Sequence, residues 1–169
     1  MASKKCQSYI IASDDMVHGK YAVWTFLIVI TESLKSQYPG IQKVHIFSDG
    51  SSAQFKNKYN LMNLSYFKSD FGLDCIWSFF ATSHGKGAVD GIGGKVKRAV
   101  ATAVLTRKWT VRNAEEFVVC ARSVTKAISV IFIPKSDIEN CVNSLDERWE
   151  SVNAIPYTML SMYQESMVF

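Results

Sequence analysis

Two aspartates in the central part of the chain have the residue type and the setting that metal-ion and phosphate chemistry require. Asp49 follows the short apolar run Val44 to Phe47, and Asp90 stands 41 residues later at the start of a helical pattern. Open α/β sheets bind ligands at the carboxyl ends of their strands, which is where Asp49 would lie. If the chain uses a metal, Mg²⁺ or Mn²⁺ fits best, because such hard cations take carboxylate, water and phosphate oxygens. We therefore predict that Asp49 and Asp90 are metal ligands and catalytic residues.

The sequence around Asp90 is unusually rich in glycine for a helical segment. The strings HGKG, residues 84–87, and GIGG, residues 91–94, flank Asp90 on both sides. Glycine lowers helix propensity, so this composition favours a close approach of the backbone by phosphate. His84 lies in the glycine-lysine string and is predicted as a third catalytic residue. Helical spacing predicts an apolar stripe made of Val89, Ile92, Val96, Ala99, Val100 and Ala103.

Positive charge is concentrated in the same part of the chain. Residues 49–112 carry ten basic and four acidic side chains, whereas residues 113–169 carry four and eight. This excess predicts contact with a nucleic acid, DNA or RNA. The residues predicted to make that contact are Gln54, Lys56, Asn57, Lys58, Lys86, Lys97 and Arg98. For residues 51–57 a second interpretation is equally open, in which Ser51 or Ser52 caps a helix, Phe55 packs inward and the amides are simply exposed.

Two longer strings carry a resemblance to a known family. FSDGSSAQFKNKY and WSFFATSHGKGAVDGIGGKVKR resemble an uncharacterised transposon-derived family with a ribonuclease H-like transposase or integrase core, and the resemblance runs from about Ser8 to Ile155. It implies that Asp49 and Asp90 are the second and third acidic residues of a DDE or DDD triad. The first acidic residue lies on the opening strand of such folds, and we expect this chain to begin after it. Asp14 and Asp15 are the alternative sources of a third ligand.

The resemblance implies a transposase-like or integrase-like catalytic domain fragment that acts on or binds DNA. Because one of the three carboxylates is expected to be missing, we predict no strand cleavage by the chain as given. One alternative is a domesticated relic of the same fold that only binds nucleic acid. Another is an unrelated α/β phosphate-binding protein in which the HGKG string holds an anion.

Length and composition bound the remaining possibilities. The 169 residues, 48% of them hydrophobic, predict one domain with a sizeable core. The resemblance implies that this single domain is ribonuclease H-like, with its core at about residues 8–106 and a C-terminal extension of helices and strand over 107–169. The longest fully apolar run near the N-terminus, Phe26 to Ile30, is far too short to cross a bilayer. No signal peptide is evident, so an intracellular protein of the nucleus or cytoplasm is expected. The four cysteines have no metal-ligand spacing and are expected to be reduced. The oligomeric state is left open.

Strand and helix patterns alternate along the chain. The predicted strands are 8–12, 44–47, 74–80 and 129–133, and the predicted helices are 17–36, 58–70, 90–106, one that begins at Asn113 and one from Ser136 to Trp149. The last two are predicted to begin with capping boxes, in which Asn113 pairs with Glu116 and Ser136 with Glu139. This alternation predicts an α/β fold with a mixed or mostly parallel sheet and helices on both faces. The resemblance makes that fold ribonuclease H-like, without its first strands.

Overall fold

The computed structural model describes residues 7–79 and 88–153, and these residues form four β-strands and five α-helices. In chain order the elements are β1 Ser8–Ala12, α1 Lys20–Gln37, β2 Lys43–Ser48, α2 Lys58–Phe71, β3 Asp74–Phe79, α3 Ala88–Leu105, α4 Ala114–Val124, β4 Ile128–Phe132 and α5 Lys135–Asn153. The α/β fold class is therefore confirmed. The predicted single ribonuclease H-like domain, with its core over 8–106, stays a prediction.

The chain divides into two compact units that interleave along the sequence. The first unit takes Met1–Met16 and Lys86–Ser136, and the second takes Val17–Gly85 and Asp137–Phe169. Within the described residues each unit contains one two-stranded parallel sheet, β1 with β4 in the first and β2 with β3 in the second. The parallel strand direction agrees with the alternation of strands and helices in the sequence.

The first unit packs α3 and α4 against the β1–β4 sheet. Its core consists of small aliphatic side chains, because α3 presents buried residues at positions i, i+4 and i+7 and α4 adds a second apolar face. The buried members are Val96, Val100, Ala103, Val118, Cys120, Ala121 and Val130. The predicted stripe on α3 is thus confirmed over its second half. The prediction for its first member is wrong, because Val89 lies in the first turn of α3 and is 81% exposed.

The second unit contains a β2–α2–β3 crossover whose strands are paired in register from Lys43 opposite Asp74 to Ser48 opposite Phe79. Helix α2 is well delimited by its caps. The Asn57 side chain accepts a hydrogen bond from the Asn60 amide at the start, and Gly72 takes the left-handed conformation (φ 72°) that ends the helix. The core is mostly aromatic, with Trp24, Phe67, Phe71, Leu73, Leu145 and Trp149.

Two helix starts differ from the predictions. Helix α1 begins at Lys20 instead of Val17, because Gly19 is extended and Val17 is 74% exposed, so neither residue gains from a helical conformation. The capping box predicted for Ser136 is wrong, because α5 already begins at Lys135. Its cap comes from Asp14, whose Oδ1 accepts a 2.6 Å hydrogen bond from the Lys135 amide across 121 residues of sequence. At α4, by contrast, Asn113 is the cap as predicted.

Candidate nucleic-acid interface

Asp49 lies exposed in the turn that follows β2, as the sequence predicted. Its Oδ1 accepts a hydrogen bond of 2.8 Å from the Ser51 amide, which closes a tight turn of the kind that aspartate favours. The Ser48 hydroxyl donates to the Asp49 carbonyl at 2.9 Å and accepts from the indole N–H of Trp77 at 3.0 Å. Because Trp77 is only 3% exposed, a core residue of β3 holds the backbone on which the Asp49 carboxylate stands.

The loop between this turn and α2 is held by its own hydrogen bonds. The Ser51 carbonyl accepts from the amides of Gln54, Phe55 and Lys56. The Asn57 side chain caps α2 with its oxygen and donates its amide group to the carbonyls of Ser52 and Gln54. Asn57 therefore has a structural role here, and contact of its amide with a nucleic acid stays a prediction. The alternative that Ser51 or Ser52 caps the helix is wrong, because the cap is Asn57.

The remaining side chains of this loop lie against aromatic rings. Phe55 is half-buried, with its ring centroid 6.5 Å from that of Trp77, which agrees with the inward packing left open by the sequence. The Lys56 ammonium lies 5.8 Å from the ring centroid of Phe79, and the Lys58 ammonium 5.2 Å from that of Tyr59. Because Phe79 is paired with Ser48 at the end of β2, the Lys56 cation lies beside the strand end that precedes the Asp49 turn.

Helix α3 carries the second group of predicted residues, in the first unit. Asp90 lies exposed in its first turn, where a carboxylate suits the helix dipole, and Lys97 and Arg98 are exposed further along. A Cβ placed at Gly91 or Gly93 would meet no atom within 4 Å, and one at Gly94 would lie 3.6 Å from the Arg98 guanidinium. The backbone on this part of α3 is therefore open to close approach. The predicted residues His84 and Lys86 lie outside the described residues.

Asp49 and Asp90 belong to different units, so their approach to a common metal ion stays a prediction. Among residues 7–79 and 88–153, no group of three or more histidine, cysteine, aspartate or glutamate side chains is arranged to hold a metal ion. Asp14, considered as a third ligand, uses its carboxylate to cap α5. Asp15 is 6% exposed.

Sequence reasoning overlooked two buried asparagines of α2, although a local signal for them was present. Asn60 and Asn63 fall at helical spacing with Phe67 and Phe71, so they lie on the buried face and are at most 1% exposed. The side-chain amide group of Asn60 donates to the backbone carbonyls of Gln54 and Phe55 at 2.7 and 3.0 Å. Asn60 thus ties the candidate loop to the core of the second unit.

The second half of this polar network involves α5. The Asn63 Oδ1 accepts from the Trp149 indole N–H at 3.1 Å. Within the described residues, two buried polar atoms have no hydrogen-bond partner, the Oδ1 of Asn60 and the Nδ2 of Asn63. Arg148 forms a two-pronged ion pair with Asp70, with N–O distances of 2.7 and 3.0 Å. These contacts connect α2 to α5.

Tyr21 and Cys75 in the second unit both have a raised pKa. The Tyr21 hydroxyl donates a 2.6 Å hydrogen bond to Asp146, which together with burial raises the pKa of Tyr21 to about 12. Burial alone raises the pKa of the Cys75 thiol to about 11. Cys75 is therefore a protonated, unreactive thiol near neutral pH.

In the part of the chain that the structure covers, no helix combines the length and the apolar character needed to cross a membrane. Neither a curated protein nor a solved structure matches the chain. Residues 1–163 match the model of a family described as a domain of unknown function, DUF8701, and the chain belongs to that family.

Proposed function

We propose that this chain is a DNA-binding domain of ribonuclease H-like transposase or integrase type that does not cleave DNA by itself. The observation that carries the proposal is the position of Asp49. Its exposed carboxylate stands at the carboxyl end of a strand in a parallel β–α–β unit, on a backbone held by Ser48 and the buried Trp77. Parallel sheets bind ligands at this end of their strands.

The distribution of charge supports DNA as the ligand. The first unit holds twelve lysine and arginine residues against five aspartate and glutamate residues, a net charge of +7, whereas the second unit holds seven against ten, a net charge of −3. A separation of this size within one short chain favours a polyanionic partner for the first unit. In the second unit, the Lys56 cation lies near Phe79, which is paired with Ser48 at the end of β2, and adds positive charge beside the Asp49 turn.

The donor set supports binding without cleavage. The Asp49 turn provides a single carboxylate, one of whose oxygens already accepts from the Ser51 amide. Mg²⁺ needs near-octahedral oxygen ligands, and two-metal phosphoryl transfer needs enough anionic ligands to hold both ions. Even with Asp90 the two predicted ligands provide only two carboxylates, and the Asp14 carboxylate already accepts from the Lys135 amide. Metal affinity and cleavage are therefore both expected to be very low.

Binding and cleavage assays on the same preparation test this proposal. Fluorescence anisotropy should show binding of a short DNA duplex that weakens steeply as salt rises, and replacing Lys86, Lys97 and Arg98 by alanine should reduce that salt dependence. Supercoiled DNA incubated with Mg²⁺ or Mn²⁺ should stay intact. Absence of DNA binding at low salt would refute the proposal. Cleavage that disappears in an Asp49→Asn, Asp90→Asn variant would show instead that the metal site is complete.

A further inference from the structure

A long stretch of the first unit contains no acidic residue. Between Asp90 and Glu115 the chain carries six basic side chains, at Lys95, Lys97, Arg98, Arg107, Lys108 and Arg112. Three of these, Arg107, Lys108 and Arg112, lie in the segment that connects α3 to α4 and were not among the predicted nucleic-acid-binding residues. All three are exposed, and within the described residues none of them forms an ion pair.

This connecting segment is anchored to the core of the first unit. Trp109 and Val111 pack against the buried side chains of α3 and α4, whereas Lys108, Thr110 and Arg112 are exposed. The alternation of inward and outward residues is that of an extended chain held from one side. Because the backbone is fixed at two points, its basic side chains are presented from a defined position instead of a mobile loop.

The backbone at Arg107 is in a conformation that normally requires glycine. Its φ is 57°, and its amide and that of Lys108 donate to the carbonyls of Val104 and Ala103 at 2.9 and 3.0 Å, which is the usual glycine-terminated ending of a helix. An arginine at this position carries a steric cost that glycine would avoid. A planar guanidinium that can bind phosphate with two hydrogen bonds is a benefit that offsets this cost.

The exposed face of α3 continues this basic surface. Lys95, Arg98, Thr102 and Thr106 are all exposed and follow one another at positions i, i+3, i+7 and i+11, so they form one line along the helix. At 1.5 Å per residue this line is about 16 Å long and ends beside Arg107. The threonine hydroxyls donate to backbone carbonyls of their own helix, so the cations dominate this face.

We infer that these residues form a binding surface for the sugar–phosphate backbone of DNA, which we name the α3–α4 strip. It consists of Lys95, Arg98, Thr102, Thr106, Arg107, Lys108, Thr110 and Arg112. The inference rests on the proposed function and identifies the part of the first unit that makes the sequence-independent contacts. The Glu116 carboxylate accepts a 2.8 Å hydrogen bond from the Arg112 amide at one end of the strip. The run of 24 residues without an acidic side chain between Asp90 and Glu115, the anchored backbone and the glycine-type conformation of Arg107 favour a polyanion as the partner.

A set of charge variants tests the strip. The triple variant Arg107→Gly, Lys108→Gln, Arg112→Gln should bind a DNA duplex at least tenfold more weakly at low salt. Its plot of log affinity against log salt should be shallower by about 2.7, since each lost phosphate contact reduces the slope by about 0.9. The single variant Arg107→Gly distinguishes a lost DNA contact from a loss of folding stability. It should raise the melting temperature by about 2 to 4 °C, because it relieves the backbone conformation, and should still weaken DNA binding.

A second triple variant is the matched control. Lys43→Gln, Lys68→Gln, Lys126→Gln removes the same charge from exposed positions outside the strip and should leave the salt slope nearly unchanged. Equal losses in both triple variants, or native affinity in the strip variant, would overturn the strip while DNA binding by the native chain upheld the proposed function. Failure of the native chain to bind DNA would overturn both. Binding to phosphatidylserine vesicles through the strip, with no preference for DNA, would also overturn the inference.

Discussion

The two units of this chain have cores of different chemistry. The core of the first unit consists of valine, alanine and cysteine side chains, and the core of the second consists mainly of tryptophan and phenylalanine together with fully buried asparagines. Their net charges are +7 and −3. The first unit therefore combines a simple aliphatic interior with a basic surface, whereas the second depends on directional contacts inside. We expect substitutions in the second core to be the more damaging.

A lysine that lies close to three aromatic rings shows that packing in the second unit depends on directional contacts. The Lys20 ammonium lies 3.5 Å from the ring centroid of Tyr59, 4.5 Å from that of Trp149 and 4.9 Å from that of Tyr21. Lys20 is the first residue of α1, where a cation opposes the helix dipole. The cation–π contacts offset this local disadvantage and connect α1, α2 and α5. In the first unit, the described residues show no such arrangement.

The largest loss in the free energy of unfolding is expected when Trp149 of the second unit is replaced. Replacing Trp149 by alanine should lower the free energy of unfolding by about 3 to 5 kcal/mol, because a residue that is 1% exposed loses its packing and leaves a cavity. Val118→Ala in the first unit, also at a position 1% exposed, should cost only about 2 kcal/mol. Urea denaturation measures both values. Equal costs would contradict the comparison.

A smaller loss in the free energy of unfolding is expected when the buried hydrogen bond between Asn63 and Trp149 is broken. Asn63→Leu should cost about 1 to 3 kcal/mol, because the Trp149 indole N–H loses its acceptor in a buried place. The same substitution in a Trp149→Phe background should cost less, since phenylalanine has no N–H to leave unpaired. A double-mutant cycle by urea denaturation gives the coupling. A coupling of zero would show that this bond contributes nothing to the second core.

The contact of Asp14 with the start of α5 should contribute about 0.5 to 2 kcal/mol to the free energy of unfolding. Asp14→Ala removes the carboxylate that accepts from the Lys135 amide, and an N-cap substituted by alanine costs this much. Asp14→Asn preserves an acceptor oxygen and should retain most of the stability. If both variants were as stable as the native chain, the carboxylate would have no capping role and its candidacy as a metal ligand would be open again.

The smallest expected effect is the contribution of Tyr21 to the pH dependence of folding stability. Because its pKa is raised to about 12, the folded state keeps the proton that the unfolded state loses near pH 10. The contribution of Tyr21 to stability is therefore fully present below pH 10 and is lost as the pH rises to about 12. Ultraviolet titration of tyrosinate should show one late group that is absent in Tyr21→Phe. Asp146→Asn should return that group to an ordinary pKa, and a late group that persists would contradict this cause.

Most elements of the fold could be predicted from local patterns. The strands at Ser8–Ala12 and Asp74–Phe79, the helix at Lys58–Phe71 and the cap at Asn113 depend on residues within one or two turns of each other. The exposed Asp49 turn was predictable for the same reason, since aspartate forms the turn with its own neighbours. The glycine-type ending of α3 was not, because an arginine occupies the position where glycine is the usual signal.

The sequence alone determined the α/β class, the order of strands and helices, the second half of the apolar stripe of α3 and the concentration of basic residues, because each depends on residue type and short spacing. Only the tertiary structure decided that Asp14 caps α5, that Trp77 holds Ser48 and that Asn63 accepts from Trp149. These partners are 121, 29 and 86 residues apart. Their hydrogen bonds form only when packing brings distant segments together, and local propensity contains no information about such distances.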